Sequence, residues 1–454
     1  MKRNVFDKSC YQAVTGKMYR LQQLFNLPII ANDTVSINLA GVFKLSKLRR
    51  WLALDANLHI AFYFVKHRWV YKGTSGPTWD EFIKKSIRDE QTTPSTLETK
   101  SIGWPLTPND FFGTNQWDNI TVPAHYVDGP LKIWNRYYRA PNVTDELPLT
   151  AADWITGTMS PQDYAYGLPV CRLPALWTTG VPAANMSSDP TVFTETGAGS
   201  FDLLDIAQIQ AQYQDEVDRD WFSHRYQDLM QQKWGSNGVT NEVDDTECEL
   251  LYDWSGWASG VDIHGTDASS LGSYVGKVQM PININMPPRY FNEHGTLFAF
   301  ATCRFPSICT DEIHYNYKNT LNSDNFLLYP EAVRSKPPVE MTEADMFTDG
   351  DAGQSYGMQP YANWMRFNPN RISTDFKSAT GFPFEKSTDV DNTTYTYGAS
   401  ANTPIWDQTT TADSFFANVS ELAHWNIISK AEIEVRSTLP NANESLFAGA
   451  RHIN

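Results

Sequence analysis

Hydrophobic and polar positions alternate cleanly in the stretch DTVSINLAGVF, residues 33–43, where Val35, Ile37 and Leu39 share one side. A period of two predicts a strand with one buried face. The next apolar run, NLHIAFYFVKHRWVY (57–71), has a different pattern. Leu58, Ile60, Phe62 and Phe64 make one face, while His59, Ala61, Tyr63 and Val65 make an opposite face that is nearly as apolar. Such a strand is expected to be packed on both sides, as in a sandwich lying under insertions. Strand patterning returns in YVGKVQMPININM (274–286) and HGTLFAFATCRFP (294–306). It closes the chain in AEIEVRSTL (431–439), where Ile433 and Val435 alternate with charges like a half-exposed strand.

Two long tracts separate these strands. The first is rich in Pro, Trp and Asn and then turns helical in period: Leu203, Ile206, Ile209, Tyr213, Val217, Trp221 and Tyr226 form an apolar stripe. Asp202 suits the N-cap of that helix and Gly235 its stop. The second tract, about 307–414, is polar and turn-rich. No internal repeat of about 20–50 residues is visible, which argues against a propeller or solenoid. The expected organisation is one domain over 1–454, with strands mainly within 33–72, 254–306 and 415–440. Insertions then occupy about 73–253 and 307–414.

Composition agrees with a loop-rich β protein. Aromatic residues make up 13% of the 454, enough for a large core, and charged residues only 19%. Charge is distributed unevenly. Residues 1–50 hold nine Lys and Arg against Asp7 and Asp33, a balance of +7, so residues 51–454 carry −23 of a net −16. A basic start on an acidic body suits contact with a polyanion, although solvated charge without a partner gives the same pattern. The five cysteines, Cys10, Cys171, Cys248, Cys303 and Cys309, have no metal-binding spacing and read as reduced, mostly buried thiols. The N-terminus lacks the apolar core of a secretory signal, and runs such as IAFYFV are too short to span a bilayer. A soluble protein made in a cytoplasm is expected.

Catalytic chemistry is hard to find. His59 and His67 read as lying on one strand about 26 Å apart, too far to share a metal, and are expected to be structural. GSYVGKV (272–278) lacks the first glycine and the Ser/Thr of a phosphate-binding loop. DGDAG (349–353) and DVDNTT (389–394) have the oxygen density of calcium loops but no terminal Glu, so a structural divalent cation is not assignable. Five carboxylates cluster at Glu242, Asp244, Asp245, Glu247 and Glu249. A glycosidase needs two of them flanking one bond, a pairing the sequence does not place, and a hydrophilic acidic loop is the expected reading of the cluster. No catalytic residue, metal site or cofactor is assigned, and the chain is not expected to be an enzyme.

The longer segments resemble a known family. GVFKLSKLRRWLALDANLHIAFYFVKHRWVY (41–71) is similar to the early strand pair of the major capsid proteins of phiX-like bacteriophages, the Microviridae. GWASGVDIHGTDASSLGSYVGKV through PPRYFNEHGTLFAFATCRFP, within 256–306, resembles a later block of the same proteins. Weaker echoes follow in order in YGLPVCRLPALWTT, DRDWFSHRYQDLM, GFPF and LAHWN. The resemblance implies an all-β fold, an eight-stranded antiparallel jelly roll of the viral capsid type, with long loop insertions containing some helix. It further implies a T=1 icosahedral shell of 60 subunits built through pentamers around single-stranded DNA, assembled in the host cytoplasm. The partners implied are a spike protein, a small basic DNA-packaging protein and scaffolding proteins, together with a role in attachment to host lipopolysaccharide. Under that resemblance Lys2, Arg3, Lys47, Arg49 and Arg50 are candidates to face DNA, with Trp51 placed to stack on bases. Pairing of Arg49 and Arg50 with a neighbouring subunit is the competing role. Trp51, Trp69, Trp254 and Trp257 are candidate interface anchors or core residues. A carbohydrate-binding or carbohydrate-active β protein is the alternative, supported by the acidic balance and abundant Trp.

Overall fold

A computed structural model describes residues 3–48, 55–71, 77–79, 81–82, 96–102, 120–138, 168–169, 247–264, 274–305, 339–342, 345, 355–359, 361–362, 365–366, 371, 416 and 423–439. These form mostly antiparallel β-sheet. The first sheet contains β1 (Asn4–Asp7), β2 (Cys10–Gly16), β4 (Thr34–Leu45), β10 (Gly260–His264), β11 (Tyr274–Tyr290) and β15 (Trp425–Ser437). Its order is β1–β15–β4–β11–β10, with β2 following β1 along the same edge of β15. Asn4 pairs with Ser437 and Gly16 with Trp425 in one unbroken register. The backbone N–H of Lys8 bridges the gap between β1 and β2 by donating to the Ile433 carbonyl at 2.9 Å. β1 and β2 therefore act as one long N-terminal strand.

The second sheet runs β8 (Leu168–Pro169), β3 (Arg20–Ile29), β12 (Gly295–Arg304), β5 (Ala56–Lys66) and β9 (Cys248–Ala258). Two small hairpins stand apart, β6 (Thr99–Ile102) with β7 (Ile120–Pro123), and β13 (Val339–Thr342) with β14 (Ser355–Gln359). The alternation expected over 33–43 is present in β4, where Val35, Ile37, Leu39 and Phe43 are buried between half-buried or exposed neighbours. One continuous apolar cluster joins that face to Leu58, Ile60, Phe62 and Phe64 of β5 and to Leu297, Ala299 and Ala301 of β12. The core therefore lies between the two sheets.

The other face of β5 is buried as well, as its composition predicts. Helix α1 (His67–Val70) follows it directly, and helix α2 (Ala124–Ile133) with a π-helical turn (Trp134–Tyr138) lies over β5 and β12. Tyr63 and Tyr138 share a hydroxyl–hydroxyl bond of 2.8 Å, and the Tyr63 and Tyr137 rings lie 5.0 Å apart. Helix α2 is buried on most sides, polar positions included: Val127, Leu131 and Ile133 are covered along with His125, Asp128 and Lys132. Gly129 permits this close approach, since a Cβ there would stand 2.7 Å from the Phe298 ring. Gly16 plays the same part at the end of β2, where a Cβ would stand 2.2 Å from the Trp425 indole.

Several expectations change. His67 does not continue the strand of His59, because β5 ends at Lys66 and His67 opens α1. The end of the acidic cluster is not loop: Cys248 and Glu249 already belong to β9. Strands β1 to β3 occupy residues 4–29, where the pattern is weak because the inward positions of β2 are Cys10, Gln12 and Val14. The helix expected over 202–235 lies outside the described residues.

Candidate assembly and nucleic-acid surfaces

Of the basic candidates, Arg3 and Lys47 are described, and they lie at opposite ends of β4. Arg3 donates to Thr34 Oγ1 at 3.2 Å and to Asn32 Oδ1, and its guanidinium sits 5.4 Å from the centre of the Tyr290 ring. Asn32 holds a left-handed conformation (φ 75°), which Asn tolerates better than bulkier residues, and so turns β3 into β4 beneath this arginine. Lys47 is exposed just past the other end of β4. A strand of that length separates the two by about 40 Å. The two described candidates thus lie apart rather than in one patch. Lys2, Arg49 and Arg50 lie outside the described residues. The chain is pinned just before Arg49, where buried Leu48 bridges to Phe416.

The first sheet presents an outward face with no covering layer among the described residues. Pairing aligns Ala13, Ile428, Val42 and Pro281 in one row across four strands, with Ile428 58% and Val42 38% exposed. The neighbouring row holds Tyr11, Lys430, Ala40 and Asn283, and Tyr11 is 82% exposed with Lys430 Nζ 5.9 Å from its ring centre. Beyond a polar middle that includes Asn38, Asn285, Glu432 and Glu434, Val5 and Tyr290 are exposed at the far end. Sequence reading missed this face because its apolar members come from four separate strands. Ile428 is the one apolar outward residue of β15, and Val42 with Ala40 are those of β4.

The aromatic candidates divide. Trp254 packs against the core, whereas Trp257 on edge strand β9 is 57% exposed. Trp69 is half-buried, and Trp51 lies outside the described residues.

Groups able to titrate are used structurally. His67, buried under α2, places Nε2 2.9 Å from Thr296 Oγ1 and its ring 4.2 Å from that of His125. His125 Nδ1 meets the Tyr71 hydroxyl at 2.7 Å. Burial first, then the neighbouring His125 and His294, lowers His67 to about 3, and burial lowers His125 to about 4. Both therefore pack as neutral rings. His59 stands 3.9 Å from Asp253, yet burial and then Arg304 hold its pKa below the ordinary value. Of the five clustered carboxylates, the described two are in ion pairs. Glu247 meets the almost fully buried Lys132 at 2.7 Å, and Glu249 meets Arg289. No group of three or more metal-ligating side chains occurs among the described residues. Among them, too, no helix is long and apolar enough to cross a membrane.

Among the described residues the arrangement is a sandwich, one sheet covered over β5 and β12 and the other open on an apolar-striped face, and comparison with known proteins agrees with a structural role. The family model described as "Capsid protein (F protein)" matches residues 1–196 and 191–447. Capsid protein F of Escherichia phage G4 is 30% identical over 437 residues, 95% of this chain and 94% of that protein. Capsid protein F of Enterobacteria phage phiK and that of Escherichia phage alpha3 are each 27% identical over 449 residues, 98% of both chains. Matches spanning both sheets and both insertions leave one assignment: the chain belongs to the F capsid proteins of the phiX-like bacteriophages, structural components of the virion.

Proposed function

We propose that the protein forms a T=1 icosahedral shell of about sixty copies, by way of pentamers, around a single-stranded DNA genome. The observation that carries this reading is the near-complete coverage of relatives named capsid proteins. Topology supports a jelly-roll subunit. With β1 and β2 counted as one strand, the eight long strands lie in the orders first–eighth–third–sixth and second–seventh–fourth–fifth. A doubled Greek key gives those two orders. The single domain over 1–454, with long insertions between strands, is part of the same reading. Assembly would take place in the host cytoplasm with scaffolding proteins. A spike protein and a small basic DNA-packaging protein complete the particle, and host lipopolysaccharide is the receptor class.

Lys2, Arg3, Lys47, Arg49 and Arg50 are proposed to face the genome at two places, one at each end of β4. Single-strand binding weakens with salt by a slope of roughly 0.7 per phosphate neutralised, so a few cations per subunit count when repeated around a shell. Expression with the neighbouring phage genes, followed by electron microscopy, tests the reading. Closed isometric particles are expected, and a stable monomer by light scattering in the presence of those partners refutes it. The double change Arg49→Glu and Arg50→Glu should leave shells intact but lower genome retention. Failure of shells with a folded subunit assigns these arginines to a subunit interface instead.

A further inference from the structure

We propose that the bare outward face of the first sheet is a docking surface for a second copy of this chain, centred on the row Ala13, Ile428, Val42 and Pro281. The proposal rests on the shell-building reading and adds the surface that serves it.

The two sheets differ in what covers them. The second is covered on its core face by the first sheet and, over β5 and β12, on its other face by α2 and the π-helical turn, while edge strand β9 leaves Leu250 and Trp257 exposed there. Among the described residues nothing packs on the outward side of the first, which leaves Val5, Tyr11, Val42, Tyr290 and Ile428 open at 38–82% exposure. An antiparallel sheet tolerates one wet face, but that face is ordinarily polar. A continuous apolar row across four strands, beside an open tyrosine, is the composition of an interface centre.

Charge selects the occupant. Among its described side chains the face carries Asp7, Glu432 and Glu434 against Lys44, Lys430 and Arg436, three of each sign, with Arg3 at the edge proposed to face the genome. Lys430 with Glu432 and Arg436 with Glu434 are already paired along β15, at 2.8 and 3.0 Å. Nucleic acid needs a clear excess of basic residues, and a basic peptide needs an excess of acid. A balanced, flat, apolar-striped face suits another folded protein surface. Four strands about 4.8 Å apart and some eleven residues long present roughly 700 Å². That approaches the ~800 Å² per partner of a standard interface. Copies of itself are the partner a capsid subunit must bind.

The test uses the full chain expressed alone and then with its companion phage genes. The double variant Val42→Ser, Ile428→Ser changes outward positions, and should lower self-association by about tenfold or more in sedimentation velocity, equivalent to about 1.4 kcal/mol. A separate variant, Ile428→Cys, should react with a maleimide in the dilute monomer and be protected in oligomers of the chain alone. That comparison holds whether or not the serine variant folds well. Oligomers in which the new cysteine stays fully reactive overturn the proposal, as does a folded serine variant that sediments like the parent. In either case, closed shells from the parent chain with its companions leave the capsid reading standing. A parent chain that forms neither oligomers nor shells overturns both. Protection only when companion proteins are present also overturns it, and assigns the face to one of them.

Discussion

Leu39 has no exposed surface and sits in the cluster that joins the two sheets, with Ile37 and Val35 on the same side of β4. Truncation to Ala leaves a void that surrounding strands cannot close, and Leu39→Ala should cost about 2–5 kcal/mol in denaturant unfolding. His67 and His125 give a different, pH-dependent term. Their folded values, about 3 and about 4, lie below the roughly 6.5 expected in the unfolded chain. Between those values the unfolded chain binds more protons. Their contribution is therefore complete above about pH 6.5 and shrinks as pH falls toward the folded values. Unfolding followed from about pH 7.5 to about pH 4.5 should show stability decreasing, with a shallower decrease in His67→Gln. An unchanged slope in that variant would mean that His67 has no part in the acid response.

At the scale of the element, β5 is the central case because both of its faces are covered. Its core side meets the first sheet, and its other side meets the 120–138 segment through the bond between the Tyr63 and Tyr138 hydroxyls. Burial is the main reason both phenols are held above their ordinary range, so they stay neutral partners across the accessible pH. Tyr63→Phe leaves a buried hydroxyl without its partner and should cost about 1–2 kcal/mol. Removing both hydroxyls should cost less than the two single changes together, and a double-mutant cycle by thermal or chemical unfolding reads that coupling directly. The two-sided apolar pattern of 57–65 made this burial legible in the sequence. The identity of the covering segment was not, because α2 lies some sixty residues later within a tract that reads as irregular.

Across the whole molecule, the chain is large enough to bury a core without covalent staples. Cys10, Cys248 and Cys303 are free thiols, and burial pushes the Cys303 thiol well above its usual range, which keeps it unreactive. Peptide mapping under non-reducing conditions should recover all five cysteines unpaired. A stoichiometric Cys303–Cys309 disulfide would contradict this.

Local pattern was enough to place β4, β11 and β15, whose apolar residues recur every second position, and β5 and β12, whose short continuous apolar runs read as strands. Ordered family-like blocks, read from the same residues, pointed to a capsid protein. Tertiary structure decided which strands are neighbours. Register brings the first strand beside the last, places Arg3 and Lys47 at opposite ends of β4, and lines up Ala13, Ile428, Val42 and Pro281 in one row. None of these relations is visible along the chain, because β pairing joins residues hundreds of positions apart. The members of that row come from four different strands, and only hydrogen-bonded pairing between strands makes them neighbours.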